Sequence, residues 1–220
     1  MGKFDGVLFV TDYDDTLYNS HLTVAPEDHA AIRYFTGEGG IFTVATGRAH
    51  RTFTPQIEKE HLSFGAPVVL SNGAAIYDYA ADRYVVRTRL DAGTPARMEQ
   101  LCAAFPQLGF EAYHGEDIYV YNPNLVTEKH LERVGVPSTL CPIAAMPTPW
   151  NKVILEQEHS VLEQVRAYAL AHWGDYYEVI FSNYYLLEMT HKNSNKGTMV
   201  ARIRDDLGID PRRVYCIGDN

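Results

Sequence analysis

Apolar and polar positions along this chain switch between two periods. Val7, Leu8, Phe9 and Val10 form a short apolar run rich in β-branched and aromatic side chains, the pattern of a buried strand. In the following stretch TVAPEDHAAIRYFTGEGG, Ala30, Ala31, Ile32 and Phe35 supply the apolar positions of a helix. Pro26 suits its first turn, Glu27 and Asp28 its positive end, and Gly37, Gly39 and Gly40 its stop. Residues 41–46 (IFTVAT) repeat the strand pattern. GRAHRTFTPQIEKEH reads as loop and helix, and APVVLSNGAAIYDYAADRYVVRTRL as a third strand running into a hairpin. This alternation predicts a parallel, Rossmann-like α/β sheet with right-handed crossovers. The ligand site of such a sheet lies beyond the C-terminal ends of its strands.

The texture changes near Asp91. TPARMEQLCAAF predicts a helix and GFEAYHGEDIYVYNP a Tyr-rich strand pair; NKVILEQ, SVLEQVRAYALAHW, YYEVIFSN and YYLLEMT predict strand, helix, strand and strand. After HKNSNKG the pattern returns to a helix, TMVARIRDDLG, and a strand, RVYCIGD. The expected division is a core of residues 1–90 and 189–220, with residues 91–188 as an inserted α+β domain. Tyr113, Tyr119 and Tyr121 are expected in the core of that insert.

The first strand ends on three carboxylates, Asp12, Asp14 and Asp15. Like charges at that density repel, and beside an apolar core they are costly to desolvate, so the stretch calls for a cation. The second strand ends at Thr46-Gly47-Arg48, the third at Ser71-Asn72-Gly73, and the last at Asp219. Each polar tip has an ordinary alternative. Asp12 and Asp14 could form a solvated turn, Thr46 could cap the next helix, and Asn72-Gly73 could be only a turn. Arg48 and Lys196 could be surface charges, and Asp219 a loop residue.

Composition narrows the function. Nineteen basic against 28 acidic residues leave a net charge of −9, which argues against nucleic acid as a partner. No apolar run approaches the roughly 20 residues of a membrane span, and the N-terminus resembles neither a secretion signal nor a lipidation site. Cys102, Cys141 and Cys216 form no CxxC pair, and the nine His residues form no HExxH. A cytoplasmic protein acting on a small molecule is the expectation; its oligomeric state is not readable.

Taken in order, DYDDT, ATGR, NKG and IGD resemble the four motifs of the haloacid dehalogenase (HAD) phosphatase superfamily. LSNGA after the third strand is similar to its Cof-type branch, which carries a large α/β cap. The resemblance covers nearly the whole chain. It implies a Mg²⁺-dependent phosphatase of small phosphate monoesters, sugar phosphates above all, working through an aspartyl-phosphate. Asp12 would be the nucleophile and Asp14 the proton donor and later base. Asp12, the Asp14 carbonyl and Asp219 would hold Mg²⁺. Tyr13 through its N–H, with Thr46, Gly47, Arg48, Asn72 and Lys196, would bind phosphate and substrate. The same residues could serve a phosphotransferase or phosphomutase, and the fold could persist as a non-catalytic binding module. Asp15 stands where the family often has Gly. The family's fourth motif also runs on past its first Asp, so the resemblance implies that this sequence stops within it, after Asn220, at some cost in stability and activity.

Overall fold

The computed structural model describes residues 2–218. In chain order, the elements up to Arg87 are β1 (Leu8–Thr11), α1 (Pro26–Gly37), β2 (Ile41–Val44), α2 (His50–Lys59), β3 (Val68–Leu70), β4 (Ala75–Asp78) and β5 (Arg83–Arg87). There follow α3 (Thr94–Ala104), β6 (Gly109–His114), β7 (Asp117–Tyr121), α4 (Leu125–Val134), β8 (Ser138–Leu140), β9 (Lys152–Glu156), α5 (His159–Trp173), β10 (Tyr177–Asn183) and β11 (Leu186–His191). The last are α6 (Lys196–Asp206) and β12 (Val214–Ile217). They fall into two units, one made of the residues up to Arg87 with those from Asn195 onward, the other of Thr88–Ser194.

In the first unit β1 runs parallel to β2 on one side and to β12 on the other, Leu8 standing opposite both Ile41 and Val214. A parallel bridge between Ala45 and Val69 carries the sheet from the end of β2 to β3, and β3, β4 and β5 continue as an antiparallel meander. The strand period sorts the side chains to two faces. Leu8, Val10 and Val69 pack with Met199, Val200 and Ile203 of α6, while Phe42, Val44, Val68 and Leu70 pack with Tyr13 and with Phe53 of α2. Buried Glu60 follows α2 and accepts hydrogen bonds from the Val24 N–H (3.0 Å) and the Thr23 hydroxyl (3.2 Å). Burial alone would raise its carboxyl, but Val24, Lys59 and Thr23 together hold it below its ordinary value.

The second unit is a six-stranded sheet in the order β10-β11-β9-β6-β7-β8, antiparallel except for β7 against β8. One face, with Phe110, Ala112, Val153, Leu155, Leu187 and Met189, packs with Met98 and Leu101 of α3 and Leu162 and Val165 of α5. The other face, with Tyr113, Ile118, Val120, Ile154 and Leu186, meets Val126, Leu131 and Val134 of α4. This second face also buries Glu111, Lys152, Glu156 and Glu188.

The division differs from residues 90 and 189. The Leu90 N–H donates to the Trp150 carbonyl (2.8 Å), and β11 pairs with both β9 and β10, so these residues belong to the second unit through Ser194. Helix α4 and strand β8 are additions to the predicted elements. Asn124 caps α4, accepting from the N–H groups of Val126 and Thr127, and Gly135 ends it with φ 68°. Tyr113 is buried, and Tyr119 and Tyr121 pack partly buried against the core, as expected.

Candidate active site

Beyond the last residue of β1, the Asp12 N–H still donates to the Ile217 carbonyl of β12 (2.8 Å), which fixes the start of the polar tip. The chain then turns sharply. Tyr13 is fully buried, stacked on Tyr18 (5.0 Å between centroids) and edge-on to Phe53 (4.9 Å). Burial raises its hydroxyl well above the ordinary range, against the nearby Arg48 charge. The Tyr18 N–H donates to the Tyr13 carbonyl (2.7 Å) and the Asp15 N–H to the Tyr18 carbonyl (3.0 Å). Asp15 closes this loop with φ 58°, a left-handed conformation in which Gly carries no Cβ penalty.

The two leading carboxylates acquire separate cations. Asp12 accepts from the Tyr13 N–H at Oδ1 and from Lys196 Nζ at Oδ2, both at 2.6 Å. Asp14 receives the Arg48 guanidinium as a fork, Nε at 2.9 Å from Oδ2 and Nη2 at 2.6 Å from Oδ1. Burial works against the Arg48 charge, but the Asp14 hydrogen bond and charge outweigh it, so the cation is held firmly. Its guanidinium also lies over the rings of Tyr13 (5.3 Å) and Tyr18 (5.8 Å).

Three loops are laced together around these pairs. Thr46 is fully buried; its N–H donates to the Val69 carbonyl (2.9 Å), its carbonyl accepts from Asn72 N–H (3.0 Å), and its hydroxyl accepts from Arg48 N–H (3.1 Å). It is not a helix cap, since Ala49 holds that position for α2. A Cβ on Gly47 would stand 3.0 Å from Asn72 Nδ2, so the second and third tips meet closely. Gly73, at φ 100°, lies against Asn195, where a Cβ would fall 2.4 Å from the backbone carbonyl carbon. Asn195 in turn caps α6 in a reciprocal box with Thr198, which places Lys196 in the first turn.

The structure thus brings Asp12 to Lys196 and Asp14 to Arg48, and sets Thr46, Gly47 and Asn72 in one adjoining layer. Of Tyr13 only the backbone N–H faces this chemistry, because the ring is core. Asp219 lies outside the described residues. Asn195 is not among the residues that the motifs assign to the site, although its spacing to Thr198 in NKGT is a capping-box signal.

A family model described as haloacid dehalogenase-like hydrolase matches residues 9–220. The chain is 24% identical to the 5-amino-6-(5-phospho-D-ribitylamino)uracil phosphatase YwtE of Bacillus subtilis, over 95% of this chain and 80% of that protein. Its fold matches a haloacid dehalogenase-like hydrolase from Bacteroides thetaiotaomicron with a TM-score of 0.80 at 21% identity, covering 99% and 82% of the two chains. It also matches the HAD subclass IIB sugar phosphatase BT4131 with a TM-score of 0.81 at 15% identity, covering 97% and 80%.

Proposed function

We propose, from the premise that this chain belongs to the haloacid dehalogenase-like hydrolases and is a phosphatase of their Cof-type branch, that it hydrolyses small phosphate monoesters by way of an aspartyl-phosphate on Asp12. The observation that carries this reading is the pair of carboxylates at the tip of β1, each held by its own cation: Asp12 by Lys196, and Asp14 by Arg48.

In the proposed reaction an Asp12 oxygen attacks phosphorus while the bond from phosphorus to the ester oxygen breaks. Asp14, freed from the Arg48 fork, takes up a proton from solvent and gives it to the departing oxygen, then takes one from the water that cleaves the acyl phosphate. Lys196 keeps Asp12 oriented and offsets negative charge gathering at the phosphoryl oxygens. Arg48 holds Asp14 in place between steps, and its fork has to loosen for Asp14 to reach the ester oxygen. Thr46, Gly47 and Asn72 supply a rigid polar layer beside the phosphoryl group.

Members of the family generally work with a divalent metal. The hard oxygens at the β1 tip, the Asp12 carboxylate and the Asp14 carbonyl, together with Asp219, suit Mg²⁺. When bound, the ion would supply charge neutralisation at the phosphoryl oxygens. The names of the relatives support small phosphorylated metabolites, sugar phosphates among them, as substrates.

Asp12→Asn tests the proposal, because the amide is nearly isosteric and cannot attack phosphorus. Turnover of an aryl phosphate with Mg²⁺ should vanish while the circular dichroism spectrum and melting temperature stay close to those of the parent. Turnover near the parent rate would exclude the aspartyl-phosphate route.

A further inference from the structure

Beneath α4, far along the chain from the β1 tip, three ionisable side chains converge inside the second unit. Glu111 comes from β6, His130 from α4 and Glu156 from β9. One ligand atom from each lies within 4.8 Å of the others. Both carboxylates are fully buried, and the His130 side chain is only 9% exposed. His130 Nδ1 stands 2.8 Å from Glu111 Oε1 and 3.1 Å from Glu156 Oε1. One ring nitrogen carries at most one hydrogen, and Glu111 has the hydrogen-bonded position. Neither Glu156 oxygen makes a well-formed hydrogen bond among the described residues; its contacts are the 3.1 Å approach of His130 and the neighbouring Thr127 side chain.

We infer that Glu111, His130 and Glu156 form a binding site for a divalent transition metal, zinc by donor type, which ties α4 to the sheet of the second unit. A buried carboxylate that shares one imidazole hydrogen with a second buried carboxylate is poorly satisfied, and its aim at two other ligand atoms suits a cation. A proton on His130 balances one of the two carboxylates, whereas a divalent ion on a neutral imidazole balances both. The nearby buried ammonium, Lys152, is already matched by Glu188 at 3.1 Å. One imidazole nitrogen with carboxylate oxygens is a donor set for zinc more than for magnesium or calcium, which take oxygen throughout. The surroundings also supply an outer support. The Tyr113 hydroxyl donates to Glu111 Oε2 at 2.7 Å, fixing that carboxylate so that Oε1 faces the cluster. The site is separate from the proposed Mg²⁺ ligands in both residues and donor type.

The test measures metal binding on the full chain, with saturating Mg²⁺ present to occupy oxygen-only sites. Zinc content after dialysis and a titration with Co²⁺, followed by its visible absorption, give stoichiometry and ligand type. One equivalent should bind, with a spectrum showing nitrogen ligation, and Zn²⁺ should raise the melting temperature. His130→Gln and Glu156→Gln should each lower affinity about 100-fold or more, and Tyr113→Phe about 10–100-fold. Asp12→Asn should leave this binding intact. Since Glu156→Gln removes a buried charge, it should still yield a folded protein even if His130→Gln does not. No bound equivalent in the parent, or equal binding by folded Glu156→Gln, would overturn the inference and leave the cluster as a proton-sharing network.

Discussion

At the scale of single residues, the two carboxylates of the β1 tip are alike in type and different in circumstance. Asp12 is held by a backbone N–H and a lysine, Asp14 by an arginine fork that also covers two aromatic rings. Proton transfer by a positioned carboxylate contributes about 10²–10⁴-fold, so Asp14→Asn is expected to lower kcat by about that range. Arg48→Lys keeps the charge but loses the fork, which fixes direction as well as position. Its kcat should fall less than that of Asp14→Asn, with KM for an aryl phosphate little changed. Steady-state kinetics on the two variants decide the order; an Arg48→Lys enzyme slower than Asp14→Asn would contradict a purely positioning role. Asp15 gives a second expectation. Its left-handed backbone favours Gly, so Asp15→Gly should stabilise the protein by about 0.5–1 kcal/mol in urea unfolding. A loss of stability would mean that the Asp15 carboxylate makes a contribution larger than the strain it carries.

At the scale of elements, the junction between the Asn72-Gly73 turn and the start of α6 is the tightest part of the site. Gly73→Ala must either move the Asn195 backbone or abandon its positive φ, and should cost about 3 kcal/mol or more. Asn195→Ala removes only the cap, about 1 kcal/mol. Because Lys196 follows it directly, activity should drop alongside stability in both variants, which melting curves paired with turnover would reveal. The elements differ in how openly they announce themselves. Helix α1 is legible because its signals are local: a proline, two acidic residues and a glycine run. Helix α4 is not, because two positions it turns inward are polar, Thr127 and His130, and the apolar stripe is broken there. The three strand tips are legible as polar residues ending apolar runs. Which carboxylate meets which cation is not, since Asp12 and Lys196 are joined only by the closing of the sheet. The boundary at Ser194 was obscured because β11 leads straight into the loop before α6 without any linker composition.

At the scale of the whole molecule, the chain builds two units, each with an extensive set of apolar residues of its own. Among the described residues no helix is long and apolar enough to cross a membrane. The second unit contains a complete six-stranded sheet with helices assigned to each face, so residues 88–194 expressed alone are expected to fold cooperatively. Dispersed amide resonances and a single unfolding transition would demonstrate it. A collapsed species without fixed side-chain packing would show that the unit depends on the rest of the chain.

The contact between Lys196 and Asp12 spans 184 residues of sequence. During synthesis the first carboxylates of the site emerge long before their cation. At about 5–20 residues per second, roughly 10–40 s separate the two on the ribosome. Through that interval β1 has β2 available on one side, while the partner for its other edge, β12, has yet to be made. The second unit, by contrast, is contiguous and can be finished within the same wait. On this timing the second unit can close before the first, and Asp12, the proposed nucleophile, is the first site residue made and among the last to meet its partner.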